Sequence, residues 1–120
     1  MYKHGEIILA EINTQYGKNI IKKQRPCVVV SNNKNNRFAS VVTIIPLTSS
    51  IKKLNKDIPT HVKYFHEKEC VFLVEQISTI SIENCVHLEN EILDKETMEK
   101  LKKAISIQLN IITDTNKKYI

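Results

Sequence analysis

Residues 27–48, CVVVSNNKNNRFASVVTIIPLT, contain two runs of apolar and β-branched residues on either side of an asparagine-rich segment. The first run does not alternate between apolar and polar positions, which is typical of a strand buried on both faces. The segment NNKNNR (32–37) favours the left-handed backbone of a turn. We therefore predict an antiparallel hairpin whose second strand ends near Thr48, because Pro46 cannot donate to a sheet ladder.

Similar strand patterns lie on both sides of this hairpin. GEIILAEI (5–12) and CVFLVEQIS (70–78) are apolar, β-branched runs, and IPTHVKYF (58–65) alternates, so we predict a strand from each of them. Residues 13–24 and 48–57 are polar and basic and are predicted to form exposed loops. Turns rather than helices separate these strands, which is the pattern of a small antiparallel β-barrel.

The last third of the chain changes from strand to helix periodicity. After CVHL, a possible short strand, Asp94 is placed to cap a helix. Apolar or amphipathic positions follow at helical spacing: Met98, Leu101, Ile105, Gln108 or Leu109, and Ile112. We predict a mostly β (α+β) fold in which one helix of roughly five turns covers the barrel. We predict that residues 1–113 form a single domain and that residues 114–120 form a frayed tail.

Length and composition fit one globular domain. The chain has 120 residues, of which 42% are hydrophobic and 26% are charged, and these values argue against disordered and fibrous proteins. No apolar run approaches the roughly 20 residues of a membrane span, and charges interrupt the N-terminal segment where a signal peptide is apolar. We therefore predict a cytoplasmic protein with no membrane segment.

The charge balance leaves two interpretations open. Lysine and arginine number 18 against 13 aspartate and glutamate, a net charge of +5. Such an excess favours a polyanionic partner, but a lysine-rich surface also serves solubility alone. The cysteines, Cys27, Cys70 and Cys85, are odd in number and widely spaced, so we expect reduced core thiols rather than disulfides or a zinc ribbon.

Several common catalytic motifs are absent from the sequence. It has only two glycines and therefore no glycine-rich phosphate loop, and it contains neither G-x-S-x-G nor H-E-x-x-H. We interpret the nearest pair of histidines, His61 and His66, as solvent-facing side chains rather than metal ligands. No metal site and no cofactor are predicted.

Arg25 and Thr48 remain as candidates for chemistry. Pro26 disfavours helical backbone at Arg25 and so holds it extended at the start of a strand. Because the two hairpin strands are antiparallel neighbours, the entrance of the first and the exit of the second lie at the same end. A guanidinium and a hydroxyl that converge there form a phosphate site. The plainer alternative is a surface arginine and an ordinary turn threonine.

The amino-acid sequence resembles the MazF/PemK family of toxin–antitoxin ribonucleases. The strings that carry the resemblance, from residue 5 to about residue 112, are GEIILAEI, RPCVVVSNN, NRFASVVTIIPLTS, IPTHV, VFLVEQISTI and LDKETMEKLKKAISIQL. The resemblance implies an SH3-like barrel with a long C-terminal helix and a homodimer. It also implies metal-independent, sequence-specific cleavage of single-stranded RNA (mRNA), and control by a cognate antitoxin.

The resemblance assigns catalysis to Arg25, before the R-P proline, and to Thr48, in the string IPLTS. RNA supplies its own nucleophile, the 2′-hydroxyl, so the expected products are a 2′,3′-cyclic phosphate and a 5′-hydroxyl. Arg25 would stabilise the charge that develops on phosphorus, and Thr48 would hold the scissile phosphate.

Loops beside this edge are expected to recognise bases, because single-stranded RNA is read on splayed bases. The candidate RNA-binding residues are polar or charged: Asn32, Ser49, Lys52, Lys53, Glu75 and Gln76. For the lysines the alternative is a solvated surface charge with no RNA contact.

Two departures from the family leave other functions open. Residues 13–24 contain a single glycine where the family has a glycine-rich loop with serine and glutamate, and Ser78 stands where the family commonly has a basic residue. The alternatives are a catalytically weakened relative and a non-enzymatic gyrase poison like CcdB. Arg25 and Thr48 favour the nuclease, since a gyrase poison does not need them.

Overall fold

The computed structural model describes residues 1–16, 19–114 and 116–120, with side chains described except for residues 14–16, 19–22 and 119. The described residues form seven strands and two α-helices in a mostly β fold with a C-terminal helix, so the predicted fold class is confirmed. The elements are β1 (Glu6–Tyr16), β2 (Asn19–Val29), α1 (Asn33–Phe38), β3 (Val41–Thr48), β4 (His61–His66), β5 (Lys68–Leu73), β6 (Ser78–Ser81), β7 (Cys85–Ile92) and α2 (Lys95–Gln108).

The strands form one antiparallel sheet in the order β4-β5-β3-β2-β1-β7, and β6 also pairs with β3. β4 and β7 are the two ends of this order and share no backbone ladder in the part of the chain that the structure describes. Side chains connect them instead, because Tyr64 of β4 donates a hydrogen bond to Glu91 of β7. Backbone hydrogen bonds therefore do not close the barrel between β4 and β7, and side chains connect these two strands instead.

β3 is the strand on which the sheet is organised. On one side it pairs with β2, where Cys27 lies opposite Pro46. On the other side its first half pairs with β6 and its end, at Leu47 and Thr48, pairs with β5. Its partner changes around Pro46, which has no N–H to give to a ladder, and β3 ends at Thr48 as predicted.

Three predictions of strands and loops are wrong. Residues 70–78 do not form one strand, because a 3-10 turn, Val74–Gln76, separates β5 from β6. Most of residues 13–24 belong to β1 and β2 rather than to a loop, since backbone pairing continues to the end of both strands; Gly17 and Lys18 of that predicted loop lie outside the described residues.

The third correction concerns the asparagine-rich segment, which forms the short helix α1 rather than a turn. Its local chemistry explains the difference. The side chain of Asn32 accepts a hydrogen bond from the backbone N–H of Asn35 (2.8 Å), so it caps a helix start instead of adopting a left-handed conformation.

The central strands bury both faces, as the unbroken apolar run predicted. Alternate residues of β1, β2 and β3 point to opposite sides and form two apolar clusters. The larger cluster lies beneath α2, and its strand residues include Ile7, Val28, Ile45 and Phe72. The other cluster includes Ile8, Val29 and Ile44.

Helix α2 begins as predicted and ends earlier than predicted. The Asp94 carboxylate accepts the backbone N–H of Thr97 (2.9 Å), and these contacts hold the pKa of Asp94 below its ordinary value. The helix has 14 residues, about four turns. Leu109 and Ile112 are 54% and 68% exposed, so the apolar stripe does not extend to them.

Asn116 attaches the C-terminal segment to the fold. Its side chain is fully buried, and its amide donates to the backbone oxygen of Ile111 (2.8 Å) and to Ser106. No helix among the described residues is long and apolar enough to span a membrane.

The three cysteines are buried and unpaired in the structure, which confirms the prediction that they lie in the core. Burial raises the pKa of Cys27 to about 12, with a further increase from Cys85 and an opposing effect of Arg25. A thiol with this pKa stays protonated at neutral pH and is a poor nucleophile.

Leu101 tests the packing of α2 on the sheet, because its side chain is fully buried. Leu101→Ala should lower the free energy of unfolding by about 2–5 kcal/mol, since it removes apolar contacts and leaves a cavity. Urea denaturation followed by circular dichroism measures this loss. Lys102→Ala, at the adjacent exposed position, should change stability by less than about 0.5 kcal/mol. Equal effects of the two substitutions would contradict the described packing.

Candidate active site

A pocket of about 240 Å³ lies at one end of the β2–β3 hairpin. Most of its lining comes from residues 23–26 of β2, residues 47–50 where β3 ends, and residues 66–68 at the turn between β4 and β5. Arg25 and Thr48 are both part of this lining. The structure therefore brings together the two residues to which the family resemblance assigns catalysis.

Strand pairing explains why Arg25 and Thr48 meet. Cys27 lies opposite Pro46 in the β2–β3 register, and continuing that antiparallel register by two residues places Arg25 opposite Thr48. On its other side, Arg25 pairs with Ala10 of β1. The guanidinium thus extends from a backbone position that neighbouring strands hold in place.

The polar groups of Arg25 and Thr48 are available to a ligand. The Thr48 hydroxyl oxygen accepts the backbone N–H of Ser50 (3.2 Å), which leaves the hydroxyl proton to be donated. Arg25 is partly exposed, and its guanidinium forms no ion pair with a carboxylate of the described residues. An arginine fork and a hydroxyl donor suit the non-bridging oxygens of a phosphate.

A second pocket of about 660 Å³ adjoins the first and shares Lys68 with it. We call the two pockets together the basic groove. Among the described residues, five cations and two glutamates line it: Lys23, Arg25, Lys52, Lys53, Lys68, Glu67 and Glu69. The excess of positive charge along one groove is suited to a polyanionic chain rather than to an isolated anion.

The structure brings only some of the predicted RNA-binding residues to this groove. Ser49 lines both of its pockets, and Lys52 and Lys53 line the second. Their predicted contacts with RNA remain predictions, but their position beside Arg25 is the one that such contacts require.

The other three predicted RNA-binding residues lie elsewhere. Asn32 lines a separate pocket of about 380 Å³ next to α1. Glu75 and Gln76 lie in the 3-10 turn that follows β5, at the opposite end of that strand from Lys68. If these three residues contact RNA, they do so outside the Arg25 pocket.

The prediction that His61 and His66 face solvent is wrong. Their side chains are only 15% and 19% exposed, and each faces a glutamate. Nε2 of His61 lies 2.6 Å from Glu75, and Nε2 of His66 lies 3.0 Å from Glu91. The glutamates are distant in sequence, so local alternation of residues in β4 gave no sign of these contacts.

His66 is the pocket residue that sequence reasoning missed. It belongs to a small polar network, because the Glu91 carboxylate contacts His66 with one oxygen and accepts the Tyr64 hydroxyl (2.8 Å) with the other. Burial, followed by this hydrogen bond and the negative charge of Glu91, raises the pKa of Tyr64 to about 12. Within the described ranges, no three histidine, cysteine or acidic side chains converge as metal ligands.

Comparison with known proteins identifies one family, and a relative from a curated collection aligns over nearly the full length of both chains. The family described as PemK-like, MazF-like toxin of type II toxin-antitoxin system matches residues 3–109. Endoribonuclease EndoA of Bacillus subtilis (strain 168) is 32% identical over 115 residues, covering 92% of this chain and 96% of that protein.

Solved structures show the same fold. MazF (Form-I) from Deinococcus radiodurans aligns with a TM-score of 0.72 at 15% identity, covering 92% of this chain and 97% of its own. A mycobacterial endoribonuclease in complex with its cognate antitoxin aligns with a TM-score of 0.66 at 19% identity, covering 93% and 96%. At these identities the likeness establishes the fold alone.

The contacts of Glu91 allow a prediction about the pKa of Tyr64. Glu91→Gln removes the negative charge beside Tyr64 while keeping an acceptor, so the pKa of Tyr64 should fall from about 12 toward the ordinary tyrosine value of about 10. NMR of ¹³Cζ-labelled tyrosine during an alkaline titration measures the change. Tyr2, whose pKa is raised by burial and by Cys85 and Glu6, should titrate as in the wild type. An unchanged Tyr64 titration would contradict the contact.

Proposed function

The chain belongs to the family of PemK-like, MazF-like toxins of type II toxin–antitoxin systems, and on this premise we propose that it is an endoribonuclease toxin acting on single-stranded RNA. The observation that carries the proposal is that Arg25 and Thr48 line one pocket in a basic groove. A phosphodiester bound there meets a guanidinium and a hydroxyl donor together.

The proposed reaction is attack by the ribose 2′-oxygen on the adjacent phosphorus. The P–O5′ bond breaks, giving a 2′,3′-cyclic phosphate and a 5′-hydroxyl. Arginine keeps its proton at neutral pH, so Arg25 stabilises the negative charge that grows on the non-bridging oxygens. Thr48 donates to the same phosphate and fixes its orientation. The reaction needs no metal ion, because RNA supplies the nucleophile and Arg25 supplies the positive charge.

Single-stranded RNA is the substrate that this chemistry favours. In-line attack requires the 2′-oxygen, the phosphorus and the 5′-oxygen to align, and a stacked duplex does not offer that arrangement. Lys52 and Lys53, in the second pocket of the basic groove, would bind phosphates next to the cleaved one. Ser49, which lines both pockets, would contact a base and contribute to sequence preference.

The basic groove is also the surface on which we expect a protein partner to bind. One related structure is described as an endoribonuclease in complex with its cognate antitoxin. We propose that this chain likewise has a cognate antitoxin, whose acidic and partly disordered segment covers the basic groove. The family resemblance further supports a homodimer and a cytoplasmic location, where mRNA is available.

The position of Ser78 bears on the alternative of weakened catalysis. Ser78 is the first residue of β6, where it pairs with Ile44, and it is not in the lining of the Arg25 pocket. Replacing a basic residue there therefore leaves the phosphate site of Arg25 and Thr48 intact. The gyrase-poison alternative predicts no RNA cleavage at all, so the cleavage assay described next distinguishes it from the nuclease.

Arg25→Ala and Thr48→Ala test the proposed catalytic pair. Loss of a donor that faces the developing charge should lower the cleavage rate by about 10²–10³-fold. The measurement is cleavage of a mixed-sequence RNA in EDTA, with the new ends identified as 2′,3′-cyclic phosphate and 5′-hydroxyl. Arg37→Ala, at an exposed position in α1, is the matched control. The proposal fails if the wild type cuts nothing or if both variants cut as fast as the wild type.

Lys52→Ala and Lys53→Ala test the path of the RNA. Each phosphate contact that is lost should reduce the slope of log affinity against log salt by about 0.7 for a single strand. Affinity is measured with a 2′-deoxy oligonucleotide, which lacks the nucleophile and is not cleaved. Lys95→Ala, exposed at the start of α2, should leave the slope unchanged. Identical slopes for all proteins would exclude this path.

A further inference from the structure

The proposed reaction needs a group that accepts the proton of the 2′-hydroxyl. Neither Arg25 nor Thr48 is suited to that task, because a guanidinium holds its proton and an aliphatic hydroxyl is a very weak base. We infer that His66, held in place by Glu91, is the general base of the cleavage reaction. This inference rests on the function proposed above and adds a third catalytic residue to the pair.

Position is the first argument for His66. It is the last residue of β4, and it lines the same pocket as Arg25 and Thr48. Across the β4–β5 turn it lies opposite Lys68, another pocket residue. A nucleotide whose phosphate binds the guanidinium and the hydroxyl therefore occupies the pocket that His66 borders.

The second argument is that two side chains restrain the ring. Nε2 of His66 lies 3.0 Å from a carboxylate oxygen of Glu91 on β7. The ring of Tyr64 stacks beside the imidazole, with centroids 6.4 Å apart and planes at 18°, and the Tyr64 hydroxyl occupies the other oxygen of Glu91. Such a carboxylate-supported imidazole is oriented before substrate binds.

The tautomer follows from the same contact. The anionic oxygen 3.0 Å from Nε2 favours, through its charge, the tautomer that carries the proton on that nitrogen. In the neutral ring the proton is therefore on Nε2, and Nδ1 is the nitrogen that accepts a proton. Glu91 then stabilises the imidazolium that forms when Nδ1 takes the 2′-hydroxyl proton.

Other groups of the pocket are less suited to this role. Cys70 is 6% exposed, and Lys23 and Lys68 are cationic at neutral pH. Glu67 is exposed at the turn, where its φ is 63°, and a solvated carboxylate is a weaker base than imidazole. Among the described residues of the lining, histidine has the proton affinity best matched to neutral pH.

The charges that face His66 come from three sides. Arg25 and Lys23 on β2, with Lys68 and Glu67 at the turn, line the same pocket, and Glu91 on β7 contacts the ring. A bound phosphodiester adds negative charge. Because the neutral ring is the active form, the cleavage rate should rise with pH until His66 has lost its proton.

The proton balance of the step is simple. Nδ1 of His66 takes the proton of the 2′-hydroxyl as the O2′–P bond forms and the P–O5′ bond breaks. The leaving 5′-oxygen takes a proton from water, and the hydroxide that remains is neutralised by the His66 imidazolium. The protein returns to its starting state, and no redox change or co-reactant is involved.

Single-turnover cleavage between pH 5 and 9 tests the inference, with His66→Gln compared against His4→Gln. We expect His66→Gln to cut about 10²–10⁴-fold more slowly and to lose the rise of rate with pH, while His4→Gln behaves as the wild type. Glu91→Gln should lose less than His66→Gln, because the ring remains but is no longer oriented, and Glu89→Gln on the same strand should have no effect.

Chemical rescue separates a proton acceptor from a structural role. His66→Ala should regain activity when imidazole is added, in proportion to the neutral imidazole present, and Arg25→Ala should not. A wild-type rate that does not change with pH would overturn the inference without any variant, so the test does not depend on the variants folding.

The outcomes also distinguish the two proposals. If Arg25→Ala is inactive while His66→Gln cuts within about threefold of the wild type, with the same pH profile, the role of His66 is wrong and the proposed function stands. If the wild type cuts no RNA, both proposals are wrong. Slow cleavage by His66→Gln that imidazole does not restore in His66→Ala would also overturn the role of proton acceptor.

Discussion

The register of β2 on β3, with Cys27 opposite Pro46, is the constraint on which the rest of the structure depends. Side chains alternate between faces with a period of two, so a slip of one residue would turn Ile45 out of its apolar cluster and Ile44 into it. The same slip would move Arg25 away from Thr48. Core packing and the proposed phosphate site therefore depend on one register, so a substitution that preserves the core register also preserves the site.

The basic groove is separated from that core by only a few residues along each strand. Val28 and Val29 are fully buried, whereas Lys23 at the other end of the same strand segment is exposed. Cations gathered at this edge repel one another in the absence of an anion, and a bound polyanion relieves that repulsion. The apolar strand ends supply a rigid support, so the cations need not be ordered by the ligand when it binds.

Sequence reasoning predicted the parts of the fold that depend on local pattern and on the antiparallel pairing of β2 with β3, although α1 and not a turn connects these two strands. It located the β2–β3 hairpin, the capping residue Asp94 and the meeting of Arg25 with Thr48. It failed for the polar ends of β1 and β2, because backbone ladders form without an apolar pattern once a hairpin has started. It also failed for His66, whose partner Glu91 is 25 residues further along the chain on the opposite end of the sheet. No periodicity within β4 or β7 encodes that contact.

The contact between His66 and Glu91 links the approach of β4 to β7 with the position of the proposed base. β4 and β7 have no backbone ladder between them in the described residues, and the side chains of Tyr64, His66 and Glu91 connect them. The proposed phosphate-binding pair is held by backbone pairing, of Arg25 with Ala10 and of Thr48 with Val71, whereas the imidazole of the proposed base is held by side chains. Phosphate binding should therefore tolerate small changes in closure that proton transfer does not, because a base must lie within hydrogen-bond reach of the proton it removes. A substitution that loosens β7 from β4 would then slow cleavage while leaving RNA affinity nearly unchanged, and a substitution in the β2–β3 ladder would weaken both.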